Sequence, residues 1–408
     1  MQKKLLLVCL INFLIASLMG LMLRYAFALP LHEYIKPVPL QFRNVMHAHS
    51  HGAVLGWVYL MLYLFIVHYF IPEKKPIYNR LFWLTEIAVI GMMLSFPFQG
   101  YAAVSISFST LHIICSYYFI ILIWRNHKIE SKPIQLLLKA ALIFMFISTM
   151  GIWLLGPAAA MLGIESAFFQ ISIQLFLHFQ FNGWFLFAVL ALFLRHFPIQ
   201  NPKDFNIFFK TLIGATVLTF ALPVNWFAPH PSMSWINSAG VILQLVAGYY
   251  FIQLLRPHWS KFWKNSMPLT KWAYGIALIS FILKIVLQSS TIIPEVSRMA
   301  FQYHNFVIGF IHLVMLGLIT GFLFAFLLES TLPTLKNKML AIGIYSFTIG
   351  FLATELILVV QGFAYYLGIG IIPNYYMLLF LFSILLPLGV LLIFLSYLNH
   401  DTKTFKTT

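Results

Sequence analysis

Charge is what this sequence has least of: Asp, Glu, Lys and Arg make up 9% of its 408 residues, against about 25% in a soluble globular domain. That scarcity excludes a water-soluble fold, a nucleic-acid-binding domain and a disordered regulator. Cysteine is nearly absent: Cys9 and Cys115 both lie inside apolar runs, so neither a disulfide framework nor a thiolate metal cluster is available. Carboxylates number only ten, fewer than the fourteen histidines. No polar stretch is long enough to form a separate domain, and no low-complexity segment or clear internal repeat stands out.

What is present is apolar surface: 61% of the residues are hydrophobic and 17% aromatic. A helix needs roughly 20 apolar residues to cross the hydrocarbon core of a bilayer. Twelve runs meet that need, at about 5–28, 46–71, 81–99, 102–124, 133–156, 166–195, 206–228, 233–255, 270–291, 300–328, 338–367 and 374–398. Breaks such as Gly156-Pro157 and Pro229-His230-Pro231 separate them. The expectation is an all-α membrane protein, a single polytopic domain over residues 1–408 embedded in the lipid bilayer. Lys3-Lys4 and Ala26-Phe27-Ala28 resemble parts of a signal peptide, but the long apolar run and Arg24 favour a retained first helix.

Short loops enriched in Lys and Arg mark the cytoplasmic side. With a cytoplasmic N-terminus, 19 of the 25 basic residues fall on inner segments, among them Lys74, Lys75, Arg125, Lys128, Lys264, Lys271, Lys336, Lys403 and Lys406. Arg24, Lys36, Arg43 and Arg298 remain outside, and Lys139 and Lys284 lie within runs. Both termini are therefore expected in the cytoplasm of a cell whose inner membrane holds the chain. The formal charge of +15 becomes a topology signal, and no nucleic-acid partner is implied.

The histidines sort by depth. The second run opens with Met46-His47-Ala48-His49-Ser50-His51-Gly52; the fourth holds His112, the sixth His178, and the tenth His304 and His312. At about 1.5 Å per residue, His51 lies roughly 10 Å from its outer entry, and His112, His178 and His312 roughly 15 Å. A polar side chain at such depth needs a partner or a cavity. Neutral imidazole is also a common nitrogen ligand for iron, copper and zinc. A convergent layer of histidines thus points to metal or haem ligation, while each one taken singly could be a hydrogen-bonded packing residue. His47 and His51 share a helix face and His49 points nearly opposite. Gly52 and Gly56 either admit a neighbouring helix closely or clear room for a flat macrocycle. Gln170, Gln174, His178 and Asn182 recur every four residues as a polar stripe, and Asn305, Gly309 and His312 share another face. Trp57 and Trp184 read as packing or lipid-facing groups. Glu86, Lys139, Lys284 and Glu355 are intramembrane charges, each a functional candidate by default; Lys284 and Glu355 could pair or serve a proton route.

Twelve helices with ligand-type histidines on the second, sixth and tenth resemble the catalytic subunit of the haem-copper oxidase and nitric oxide reductase superfamily. The resemblance implies a subunit I-like bundle. In that family the second-helix histidine and one on the tenth hold a low-spin haem, another on the tenth holds a high-spin haem, and sixth- and seventh-helix histidines hold copper or non-haem iron. Carried over, His51 (or His47 or His49) and His312 are axial ligands of a haem b, with His304 nearer a propionate or water. His178, with His112 or His49, takes a second metal. The seventh run lacks the histidine pair, reading Pro223-Val224-Asn225-Trp226 with His230 beyond it. The tenth run spaces its histidines by eight where the family has two, and Asn182 stands where relatives carry Tyr or Glu. Met46-His47-Ala48-His49 is also similar to the start of NnrS-type haem membrane proteins, linked to nitric oxide stress. Absence of Cys-x-x-Cys-His excludes covalent c-type attachment.

The expected function is haem binding in electron transfer or in oxygen or nitric oxide handling, with an oxidoreductase activity open because the binuclear ligand set is incomplete. Electron-donor or partner membrane subunits are implied. The rival reading is a histidine-lined metal or proton transporter.

Overall fold

The computed structural model describes residues 2–28, 41–73, 75–331 and 338–399. Lys36, Lys74, Lys336, Lys403, Lys406, His32 and His400 lie outside the described residues. Among those described there is no strand, and twelve helices are long and apolar enough to cross a membrane. They are α1 Lys3–Ala28, α2 Phe42–Phe70, α3 Pro76–Gln99, α4 Ala103–Asn126, α5 Lys132–Leu162, α6 Ala167–Leu194, α7 Pro202–Phe227, α8 Pro231–Asn265, α9 Pro268–Ser290, α10 His304–Ser330, α11 Lys338–Tyr366 and α12 Tyr375–Leu398. The chain is a multi-pass membrane protein.

The expected runs and the helices coincide span for span, with three corrections. Pro157 and Pro257 lie inside α5 and α8 and end neither, because neighbouring helices and local adjustment can satisfy the backbone groups a proline frees. The run expected from residue 300 begins instead at His304. A separate short helix, Pro294–Gln302, precedes it, and the extended backbone of Tyr303 (φ −108°, ψ 98°) divides the two. The third break is within α7. The Pro223 ring has no N–H and crowds the carbonyl four residues back, and regular helix is interrupted at Thr219-Phe220.

Proline also starts helices: α3, α5, α7, α8 and α9 all carry it in the first two positions, where the missing N–H costs nothing. Gly100 ends α3 at φ 61°, and a Cβ there would stand 2.6 Å from Asn44 Oδ1, so both conformation and space demand glycine.

The chain forms two compact units, Met1–His127 with Leu323–Thr408, and Lys128–Phe322. In the first, Phe13 stacks on Trp57 at 4.4 Å, and Phe324 and Phe347 close around Phe13 at 6.3 and 5.6 Å. Gly343 of α11 and Gly389 of α12 let these helices nearly touch: a Cβ on Gly389 would lie 2.7 Å from the Gly343 carbonyl. In the second unit, Phe193 is the hub of a ring cluster with Phe197, Phe251, Tyr274 and Phe322, at 5.1 to 6.3 Å. Exposed aliphatic residues such as Ile87, Leu94, Ile279, Ile282 and Leu356 form the apolar exterior that a bilayer solvates.

Burial is uneven among the spans. The most apolar windows of α2, α6 and α10 are 78, 83 and 83% buried, while those of the other spans range from 33 to 61%.

Candidate histidine centres

Each of the three most buried spans changes its winding at a histidine. Among the described residues, π-helix occupies Gly52–Tyr59 in α2, Phe179–Phe185 in α6 and Leu313–Ile319 in α10. The residues directly before these segments are His51, His178 and His312. π-Helix is rare, is usually confined to single turns, and is frequent at functional sites. Each of these histidines is followed five residues later by glycine, as His51–Gly56, His178–Gly183 and His312–Gly317, with Trp57 and Trp184 next in two of the three; His47–Gly52 and His304–Gly309 have the same spacing. Five is the spacing that a π turn bonds. Both tryptophans are packing groups, buried to 1 and 0% exposure.

In the first unit the histidines of α2 divide as their helix faces dictate. The carbonyl of His47 accepts from Nδ1–H of His51 at 2.8 Å, which leaves Nε2 of a neutral His51 with its lone pair free. The His51 ring lies 4.4 Å from that of Phe96, and His47 meets Tyr101 edge-on at 4.8 Å. Burial pushes the Tyr101 phenol above its ordinary pKa, opposed by Arg43. His49 faces the other way. Its Nδ1–H donates to the Ala16 carbonyl of α1 at 2.7 Å, and its ring fills the place of a side chain at Gly20, whose Cβ would be 2.8 Å from His49 Cε1. His49 therefore clamps α2 to α1.

His112 of α4 is buried with 4% exposure, and its Nε2 has no hydrogen-bond partner. Its ring packs edge-on against Tyr59, at the end of the π segment, at 4.7 Å, and it is within electrostatic reach of His51. The room at Gly52 and Gly56 is taken by neighbouring helices: Cβ atoms there would approach Met93 Sδ at 3.0 Å and Val89 Cγ1 at 2.9 Å. These glycines serve close helix packing. Asn12 ties the π segment down, donating to the Gly56 carbonyl at 3.2 Å and to the buried Glu86 carboxylate at 2.8 Å.

The second unit treats its histidine differently. At the break in α7, the Phe220 N–H bonds the Val217 carbonyl, so the Thr216 carbonyl lacks the partner a continuous helix would supply. Nε2–H of His178 donates to it at 2.8 Å, leaving Nδ1 as the free nitrogen. The expected four-residue polar stripe is broken, because the winding changes at His178. Gln170 turns back to the Ile164 carbonyl, and Gln180, outside the stripe, is the amide that accepts from Ser148 at 2.9 Å. Asn182 Oδ1 is buried without a partner. His304 is exposed at the first turn of α10, and His312 is half-buried. Lys284 donates to Gln244 at 3.3 Å, and Glu355 lies within electrostatic reach of Arg24.

The candidate donors thus sit in both units: His47, His49, His51 and His112 in one, His178, His304 and His312 in the other. Among the described residues no three His, Cys, Asp or Glu side chains come together as a metal-ion site. The donors come singly or in pairs. The histidine-to-glycine spacing of five was readable in the sequence but is shared by His47 and His304, so the change of winding is what sets His51, His178 and His312 apart. Nothing local marked Thr216, Tyr59 or Gln180. Compared with known proteins, the chain matches no family model and no curated sequence.

Proposed function

We propose that this is a haem-binding, multi-pass protein of the cytoplasmic membrane, a divergent relative of the haem-copper oxidase catalytic subunits, acting in electron transfer or in oxygen or nitric oxide handling. The observation that carries this reading is the recurrence of a histidine directly before a π segment on the three most buried spans. Chance placement gives no reason for three rare windings to start at three intramembrane imidazoles.

Haem suits the donor pattern. A structural zinc ion takes about four protein donors, whereas a porphyrin supplies four nitrogens itself and leaves one or two axial places to the protein. The single, oriented imidazoles fit the second case. A backbone carbonyl holding one ring nitrogen fixes the tautomer and aims the other, as carbonyl-held imidazoles do at metal sites; His51 and His178 are both held so. The buried, unpartnered Nε2 of His112 is a further donor beside the His51 segment. We assign His51 and His312 as imidazoles that would each hold a haem iron, and Nδ1 of His178 as the donor that would hold copper or non-haem iron. Bound haem would supply a redox-active iron. The carbonyls of His47 and Thr216 would orient the imidazoles, and the buried Phe96 and Tyr59 would shield the His51–His112 region from water.

The test is a reduced-minus-oxidised visible spectrum of the detergent-purified protein. The expected result is the Soret and α bands of a b-type haem, weakened in His51→Ala and His312→Ala. A protein that stays colourless after expression with ample haem, or one whose spectrum neither substitution changes, overturns the assignment. Oxygen- and nitric oxide-consumption measurements then separate turnover from binding.

A further inference from the structure

Between α8 and α9 runs a buried polar seam that the histidine centres leave unexplained. On α9, Lys284 and Gln288 lie four residues apart with Thr291 at the helix end; on α8, Asn237 and Gln244 lie seven apart, so each set keeps to one face. Asn237, Gln244, Lys284 and Gln288 are 2, 4, 3 and 6% exposed. Lys284 Nζ donates to Gln244 Oε1 at 3.3 Å, Asn237 Nδ2 donates to Thr291 Oγ1 at 3.2 Å, and Thr291 Oγ1 donates to the Gln288 carbonyl at 2.7 Å. Three polar atoms along the seam have no protein partner: Asn237 Oδ1, Gln244 Nε2 and Gln288 Oε1.

The unpartnered atoms decide what the seam takes. An anion would satisfy donors, and a metal ion would satisfy acceptors. Here one is a donor and two are acceptors, and water is the small ligand that serves both. The seam is also one-sided. From Lys284 to Thr291 it spans roughly 10 Å at the helical rise. In the other direction, apart from Ser280, the buried residues nearest Lys284 are Ala247, Phe251, Ala277 and Phe281, which offer water nothing to bond; the next buried hydroxyls, Tyr274 and Thr270, lie ten and fourteen residues from Lys284.

We propose that the α8–α9 seam is a hydrated half-channel that opens at the Thr291 end of the membrane and delivers protons to Lys284. In the transfer step, the neutral Lys284 amine uses its lone pair to take a proton from the adjacent water. That water takes one from the next, and the bulk phase loses one proton, so the charge gained at Lys284 equals the charge drawn in. The amide side chains position the waters and do not carry the proton. The charged neighbourhood is sparse. His178 of α6 is within electrostatic reach of Lys284. α8 has no charged side chain between Pro231 and Gln253, and the π segment Leu313–Ile319 of α10, which packs against α9, has no ionisable one. Charge on Lys284 is thus set by exchange along the seam, and it would be felt at His178. The proposal does not depend on haem binding.

Substituted-cysteine labelling tests it, with the full chain in right-side-out and inverted vesicles and Cys9 and Cys115 replaced by alanine. N237C, Q288C and K284C should react with a membrane-impermeant cationic methanethiosulfonate from the Thr291 side only, at least roughly tenfold faster than A277C, since a thiol in apolar surroundings forms little thiolate. Labelling at the A277C rate, or from the Lys271 side, overturns the proposal. If K284C fails to fold, N237C and Q288C decide it. A second measurement keeps Lys284 in place. Q288C should react faster with an anionic than with a cationic reagent, and K284M should abolish that preference. A preference unchanged by K284M overturns the role of Lys284.

Discussion

His51 and His178 both stand at the start of a π segment, yet they are anchored in opposite ways. His51 bonds back to its own helix, through Nδ1 to the carbonyl four residues earlier. His178 bonds through Nε2 to a different helix, at the break that Pro223 makes in α7. The first arrangement adds little to tertiary structure and leaves Nε2, the nitrogen farther from the backbone, free. The second fills a backbone vacancy in α7 and leaves Nδ1. Similar sequence signals therefore produce one imidazole suited to ligation and one that is also a structural tie.

Four comparisons break or sharpen that contrast. The largest effect is expected for His51→Ala, which should remove most of the Soret absorbance while thermal unfolding in detergent changes little, because only an intrahelical bond is lost. A spectrum like that of the parent would put His51 on the structural side with His178. Next is Gly183→Ala: its Cβ would come 2.5 Å from Phe144 Cβ, compared with 2.9 Å from Val89 Cγ1 for Gly56→Ala. Overpacking costs about 1–3 kcal/mol, and Gly183→Ala should lower Tm more than Gly56→Ala does; the reverse order would mean that the α5–α6 contact relaxes more readily than α2–α3.

His178→Ala leaves the Thr216 carbonyl unpaired in the interior, at a cost of about 1–3 kcal/mol. It should lower Tm whether or not haem is bound, and an unchanged Tm would show that the break in α7 is satisfied by other means. The smallest effect is expected for Glu86→Gln. Its amide oxygen can still accept from Asn12, so the loss should be about 1 kcal/mol or less, whereas Asn12→Ala, which also frees the Gly56 carbonyl, should cost more. Chemical denaturation of the two variants compares them directly.

The twelve spans were legible because hydropathy is a sum over neighbours in sequence, and each run is long enough to need no help from its surroundings. The exceptions follow the same logic: Gly156-Pro157 reads as a break, and the eighth run as ending at residue 255, until packing partners are counted, and the divide at Tyr303 depends on one residue's backbone. The histidines were also legible as a set, but the stripe through Gln170, Gln174, His178 and Asn182 failed because it assumed α-winding past His178. A shift to π geometry moves every following side chain to a new face, and Gln180 rather than Asn182 met Ser148.

The sequence by itself determined that this chain lives in a bilayer, how many times it can cross, and which imidazoles and charges lie deep in it, since these depend on residue type and position along a helix of known rise. Only the tertiary structure decided which nitrogen of each imidazole is held, that His49 clamps α1 while His51 turns toward Phe96, and that the amides of α8 meet Lys284. Those outcomes rest on which carbonyl or side chain a neighbouring helix presents, and no window of consecutive residues contains that helix.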